Sequence, residues 1–458
     1  DQAFVASDAK ETLEKFAKTD AGFAEAHGAQ QTQAKASYAL IINRPAGAAF
    51  VAAIEAAAAG RDIASEDAEV GKQYAQIAAA TGLQGNGLRD FCNQLSIQAL
   101  GETPASIRHG ASRTLADWSA ADGAPAELRL LRLCRLVRDK AGMAGKDNNL
   151  IRLVDVLGAL DVHEGDLLPA MPSFADVGSV IARAQLGEVA AAVRAADKPV
   201  LLQAAGGVGK TVFMQSLALA FQPGDHALLF DCFGGGAYRS PEDERHLARR
   251  GLLHIVNDLA TRGLCDVILP DSPDGAKMLQ TARARFAQAV RTLRSATPGA
   301  RLIVLIDAAD NAAKQAQDRH EPCFATALIE AFAFKPEPGV SIVASCRPNR
   351  AGLTKGTADL AIIDLDVFSE AEARTFILAR APDATEANIA TAFARSLRNP
   401  RVLAHLVGDW DALVVASTSN APIEVETLIA ARVDRALSAA GLAAGDQATA
   451  RQFLAGLT

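Results

Sequence analysis

Eight consecutive residues, Ala204-Ala205-Gly206-Gly207-Val208-Gly209-Lys210-Thr211, combine glycines, a lysine and a hydroxyl in a spacing suited to holding phosphate. Gly206, Gly207 and Gly209 allow backbone conformations closed to other residues, so successive N–H groups, those of Val208 and Val212 included, can turn inward on phosphate oxygens. Lys210 then supplies a point charge to the β/γ oxygens, and the Thr211 hydroxyl can ligate a Mg²⁺ that bridges them. The strict pattern asks for Gly where Ala204 stands, and Ala is small enough for that turn.

Two further segments carry charge to the end of an apolar run. In RLIVLIDAADNA a run ends in Asp307, and a second acid follows at Asp310. A carboxylate at the C-terminal end of a parallel strand lies where ligands bind, so Asp307 can hold Mg²⁺ opposite Thr211, and Asp310 can orient or deprotonate an attacking water. Read alone, Asp307 is equally a helix N-cap. In VSIVASCRPNR the run ends at Ser345-Cys346-Arg347-Pro348, which sets Arg347 over the same sheet edge as a γ-phosphate sensor.

The elements that must position these groups are visible in the pattern. Apolar runs Pro199–Gln203, His226–Asp231, Arg301–Asp307, Val340–Ser345 and Asp359–Leu365 alternate with amphipathic stretches. Near-continuous runs of Val, Ile and Leu suit parallel strands covered on both faces. Met278, Ala282, Phe286, Val290 and Leu293 share one helical face, and the glycine loop sits between a strand and a helix bearing Phe213, Leu217 and Phe221. The fold class expected is α/β, a P-loop NTPase core with a parallel sheet flanked by helices, plus a mainly helical N-terminal region and a helical lid after the core.

With 458 residues, two to four domains are expected. The Pro-containing stretch Leu167–Phe174 marks a border. The divisions read are a mainly helical region with at least one strand over 1–166, without a recognisable set of active residues and read as the tail of an effector domain; a nucleotide-binding domain over 173–368; a lid over 369–418; and the start of a winged-helix or helical module over 419–458. Ser37–Asn43 reads as a strand, and a helix ends at Gly60. Arg129, Arg132, Arg135 and Arg138 fall three apart on a helix, the pattern of a solvated face.

Composition excludes several classes. Half the residues are hydrophobic, 5% are aromatic, and 46 Lys+Arg against 53 Asp+Glu give a formal charge of -7. That is a folded, mildly acidic chain, neither disordered nor a disulfide scaffold. The six cysteines (Cys92, Cys134, Cys232, Cys265, Cys323, Cys346) form no CxxC pair, which suits a reducing cytoplasm. No signal-peptide pattern and no membrane-spanning apolar window is present. His246 and His254 lack ligand spacing, and neither HExxH, GxSxG nor a nuclease signature occurs. The chain starts without Met and ends in a helical pattern, the reading expected of a portion of a longer polypeptide.

Jointly, GGVGKT, the strand ending DAAD, the strand ending SCRP, the helix start LDVFSEAEA and the helix NPRVLAHL resemble the signal-transducing ATPases with numerous domains (STAND), which include the NACHT and NB-ARC switches. The likeness covers about 173–413. It implies that Lys210 and Thr211 bind phosphate and Mg²⁺, that Asp307 holds Mg²⁺, that Asp310 is the second acid of an aspartate-rich strand end and that Arg347 is the sensor. It also implies that Pro400 is the lid proline near the base and Arg183, in VIARAQLGEV, a base- or ribose-side contact. Two departures, Asn311 where a further acid is common and Ala308 directly after Asp307, imply slow or trigger-dependent hydrolysis. The stretch Leu229–Leu247, LFDCFGGGAYRSPEDERHL, is similar to bacterial members fused to effectors and acting against phage.

The resemblance implies ATP or ADP with Mg²⁺, self-assembly on activation, an unidentified trigger such as a phage protein, no membrane, and a winged-helix module from near Pro422. Two other readings stay open. A DNA-processing ATPase motor would grip nucleic acid through Arg283, Arg285, Arg291, Arg294 and Arg129 to Arg138, against the acidic balance. A degenerate scaffold would have lost nucleotide binding despite the complete GGVGKT run.

Overall fold

The computed structural model describes residues 6–27, 38–42, 46–61, 67–99, 104–119, 124–142, 150–174, 180–271 and 274–408, together with 410, 437 and 440. It divides into two compact units, 1–114 and 115–458.

In the first unit, two short strands, β1 (Tyr38–Ile42) and β2 (Leu95–Ala99), pair in parallel from Tyr38↔Leu95 to Ile42↔Ala99. Helices Ala6–His27, Ala48–Ala59, Ala68–Thr81 and Gly85–Gln94 surround them. Leu13, Phe50, Ile77, Leu88 and Phe91 form their shared core. The helix Ala48–Ala59 stops at Gly60, whose φ of 64° is the left-handed conformation that ends helices.

The second unit holds a five-stranded parallel sheet of β3 (Val200–Gln203), β4 (His226–Asp231), β5 (Leu302–Asp307), β6 (Val340–Cys346) and β7 (Ala361–Asp364). Their order is β4-β5-β6-β3-β7. All five runs expected from the sequence are strands here. Every residue of β5 and β6 is buried, which is why these runs lack polar alternation. Side chains alternate between faces: Leu302, Val304 and Ile306 meet helices Ala248–Thr261, Gly275–Ala296 and Phe324–Phe334, while Ile303 and Leu305 meet helices Leu186–Ala195 and Lys210–Ala218.

Because all strands are parallel, the ends of β3, β5 and β6 emerge at one edge. The register sets Gln203 beside Cys346, Ile306 beside Ala344 and Asp231 beside Asp307. Chain order reverses around β3, leaving a crevice at the edge where its loop begins. Three short helices follow β7: Glu370–Leu378, Glu386–Arg395 and Pro400–Gly408. They bury Phe368, Phe376, Ile389, Leu403 and Leu406 together as a separate small core. Most of the expected module over 419–458 lies outside the described residues.

Arg129 does not lie on a solvated face. Its guanidinium is buried, donating to Leu160 O (3.0 Å) and Ser119 Oγ (2.8 Å) and pairing with Asp271. The slow drift of a three-residue spacing round a 3.6-residue helix carries one end of the stripe inward. Arg132 and Arg135 pair on the surface with Asp161 and Asp139.

Candidate nucleotide site

The glycine loop runs from β3 into the helix Lys210–Ala218. Gly207 (φ 83°) and Gly209 (φ 92°) adopt left-handed conformations that side chains resist. Val208 is buried in the core below, anchoring the loop while its neighbours stay accessible. Gly209 caps the helix, and Val212 lies in its first turn, where backbone amides have no intrahelical partner. A Gly206–Val212 cradle of this kind binds anions.

Lys210 and Thr211 then face the ends of β5 and β6. Lys210 Nζ donates to Ala204 O (2.6 Å) and Ala205 O (3.0 Å) at the base of its own loop. Burial lowers its pKa, opposed by the Asp310 and Asp307 carboxylates. Thr211 Oγ1 donates to Asp307 Oδ2 at 2.6 Å, so the two oxygens read as Mg²⁺ ligands from the sequence are in contact across 96 residues of chain.

Asp307 is 1% exposed. Its other oxygen, Oδ1, accepts from Ser345 Oγ (2.6 Å), and Ser345 Oγ in turn accepts from Ala308 N (2.8 Å). Ala308 has φ 53° and ψ 40°, a conformation costing a non-glycine residue roughly 1 kcal/mol and held here by that bond. Ser345, fully buried at the end of β6, therefore fixes the rotamer of Asp307 and the turn after it. Sequence reading missed this role; the signal was a serine at the C-terminal end of a buried central strand. Burial raises the Asp307 pKa, with the two hydroxyl bonds opposing it.

Asp310 lies in the first turn of the helix Ala309–Arg319 and is 2% exposed. Arg347 Nε lies 3.8 Å and Arg350 Nη1 3.6 Å from its Oδ2, an oxygen that is buried without a hydrogen-bond partner. Burial raises its pKa, and the charges of Arg347, Arg350 and Lys210 oppose the rise. The structure thus brings Lys210, Thr211, Asp307, Asp310 and Arg347 to one edge.

Arg183 also reaches the loop, and Pro400 lies between two residues that do. Arg183 donates from Nη1 to Val208 O (3.4 Å), from Nε to Glu372 Oε1 (3.2 Å), and from Nη2 to Asp366 O, with Phe368 under its guanidinium at 5.0 Å. It lines a cavity of about 270 Å³ with Gln185, Val367, Phe368 and Arg398. Glu372 also completes a capping box with Ser369. Pro400 is the first residue of its helix, between two groups bound to the loop: Asn399 Nδ2 donates to Gly206 O (2.9 Å) and Arg401 N donates to Gly207 O (3.1 Å). A Cβ on Gly207 would stand 2.7 Å from Asn399 Oδ1, so glycine is required there for closeness as well as for φ. The lid is bonded directly to the phosphate loop. Sequence spacing gave no sign of this contact, which spans 193 residues.

The arginines of a DNA-gripping reading are mostly committed inside the fold. Arg283 donates to Ala331 O and Lys335 O over Phe332, Arg285 to Asp117 O, and Arg294 to Ala300 O, while Arg291 is exposed.

The NACHT domain family model matches residues 198–384, the span from β3 into the lid. This segment is a NACHT domain. This segment accordingly carries a P-loop NTPase module. No curated protein matches the chain. Among solved structures it is similar to a STAND protein with a tetratricopeptide repeat sensor from Pyrococcus horikoshii, at 14% identity and a TM-score of 0.34 over 58% of this chain and 33% of that one. The chain thus spans about a third of the length of that protein. It is also similar to the HORMA:CdnC:Trip13 complex of E. coli MS115-1, at 12% identity and a TM-score of 0.29 over 70% of this chain and 90% of that one. At these values neither adds to the NACHT match. Among the described residues no helix is long and apolar enough to cross a membrane.

Proposed function

We propose that the NACHT domain of this chain binds ATP and ADP with Mg²⁺, and that the bound nucleotide decides whether copies of the chain assemble and bring their N-terminal effector regions together. The supporting observation is the contact of Thr211 Oγ1 with Asp307 Oδ2 at an edge where Lys210 and two arginines also gather. Hydroxyl and carboxylate oxygens suit a hard cation that takes its remaining ligands from phosphate and water, so Thr211 and Asp307 are the residues that would hold Mg²⁺. When bound, the ion neutralises charge on the β- and γ-phosphates.

The chain's own groups account for the rest. The Gly206–Val212 amides orient the phosphates, Lys210 exchanges its loop carbonyls for phosphate oxygens, and Arg347 meets the γ-phosphate. Asp310 holds the proton acceptor nearest the attacking water, its rise in pKa making it a better base than an ordinary carboxylate. Ala308 brings no acid of its own, which favours slow turnover. Arg183, which lines the cavity beside Phe368 and Arg398, and Pro400 are the base-side contacts of this reading. A trigger acts by favouring the state that binds ATP more tightly than ADP, since only differential affinity shifts such an equilibrium. The likeness of Leu229–Leu247 to antiphage proteins supports a cytoplasmic role in antiviral defence with a phage-derived trigger.

Sedimentation velocity with ADP, with a β,γ-imido ATP analogue plus Mg²⁺, and with neither tests the proposal. Larger assemblies with the triphosphate, absent in Lys210→Ala, are expected. An unchanged distribution in all three, for a chain shown by titration to be saturated, would overturn the assembly role.

A further inference from the structure

Arg350 closes the segment VSIVASCRPNR without a part in the nucleotide reading above, yet the fold brings it to the same point as Arg347. Arg347 precedes the 3₁₀ turn Pro348–Arg350 and Arg350 is its last residue. Three residues per turn put positions 347 and 350 on one side of it. Their guanidiniums reach the same atom, Asp310 Oδ2, at 3.8 and 3.6 Å.

These distances matter because they are too long. A charge-assisted guanidinium–carboxylate bond closes to about 2.7–2.9 Å. Here two guanidiniums stand off a buried oxygen that has no hydrogen-bond partner. The other neighbour of Arg350 is Asn311 Oδ1 at 3.4 Å, a neutral amide where an acid would have clamped it. Lys210, Arg347 and Arg350 bring three positive charges to an edge where Asp310 and Asp307 supply two carboxylates. The excess of positive charge favours an entering anion. The Arg350 side chain is 27% exposed, so it can move toward one without crossing the core.

We propose that Arg350 is a second γ-phosphate sensor acting in cis, sharing with Arg347 the discrimination of nucleoside triphosphate from diphosphate, while Asp310 serves as the common counter-ion when no γ-phosphate is present. The inference rests on the nucleotide-binding reading above and adds a residue to it. A guanidinium bonded to the terminal phosphate contributes to triphosphate affinity alone, since the diphosphate has no group at that place.

Isothermal titration of the full chain with ADP and with the imido analogue plus Mg²⁺ separates the possibilities. In Arg350→Ala the analogue is expected to bind about tenfold more weakly, with ADP affinity held within about twofold, and Arg350→Lys to recover part of the loss. Retained ADP affinity shows that the variant is folded. Equal weakening of both ligands, or of neither, would overturn the proposal. So would a loss that appears only at concentrations where the wild type self-associates, which would assign Arg350 to a neighbouring copy's site. Wild-type protein that binds neither nucleotide, or a Lys210→Ala variant that binds both as well as wild type, would instead bring down the nucleotide reading on which the inference stands.

Discussion

Replacing Asn399 by Ala removes the side-chain bond between the lid and the phosphate loop, leaving the Arg401 N–Gly207 O bond and the loop itself in place. The Asn399 carboxamide donates from Nδ2 to Gly206 O at 2.9 Å, and its Oδ1 accepts from Arg401 N at 3.0 Å and Val402 N at 3.4 Å. Loss of the N-cap costs about 1 kcal/mol. The bond across to Gly206, partly exposed, adds about 1 kcal/mol at most. Together, about 2 kcal/mol corresponds to roughly thirtyfold more frequent release of this turn. Hydrogen exchange read at the amides of Arg401 and Val402 should accelerate by that order, while amides of Leu302–Asp307 in β5 keep their protection. Gly207→Ala should act through the same contact, because its new Cβ would press on Asn399 Oδ1. The two substitutions combined should therefore cost less than their sum. Unchanged exchange at Arg401 and Val402, or acceleration spread equally over β5, would refute the latch.

Ser345→Ala leaves Asp307 Oδ1 and Ala308 N without their partner in a buried site, so urea unfolding should show a loss of about 2 kcal/mol. Asp271→Ala strips Arg129 of its ion pair while leaving its bonds to Ser119 and Leu160; about 2 kcal/mol should be lost, measurable as a lowered thermal midpoint. Asp310→Asn should alter the pH dependence of stability. Because burial raises the folded-state pKa of Asp310 above 3.8, the folded chain binds more protons than the unfolded one between those values. Its contribution is thus greatest below 3.8 and declines as pH rises toward the raised value, so wild-type stability relative to Asp310→Asn should fall across a series from about pH 4 upward. A difference independent of pH would contradict the assigned shift.

The core was readable from sequence because its parallel strands are mostly runs of Val, Ile, Leu and Ala without regular polar alternation, and because a glycine loop followed by Lys and Thr has few uses besides holding phosphate. The approach of Thr211 to Asp307 followed from strand polarity alone. What sequence did not show depends on contacts far apart in the chain. β2, Leu95–Ala99, begins at the end of a helix without a turn residue to announce it. Arg129 looks the same as Arg132 in a periodic pattern, yet one is buried and the other is not. Ser345 resembles any small residue in a strand until Asp307 and Ala308 are seen beside it. Asn399 reads as a cap, which it is, and nothing local reveals that its amide also reaches Gly206.

The most direct test of the nucleotide switch is to identify what copurifies with the chain. Protein purified without added nucleotide is denatured, and the released ligand is separated by chromatography and weighed by mass spectrometry. A switch held in its resting state should release ADP from the wild type and none from Lys210→Ala. A wild-type chain that carries no nucleotide, yet binds ATP and turns it over rapidly without any trigger, would contradict the switch and identify a freely cycling ATPase instead.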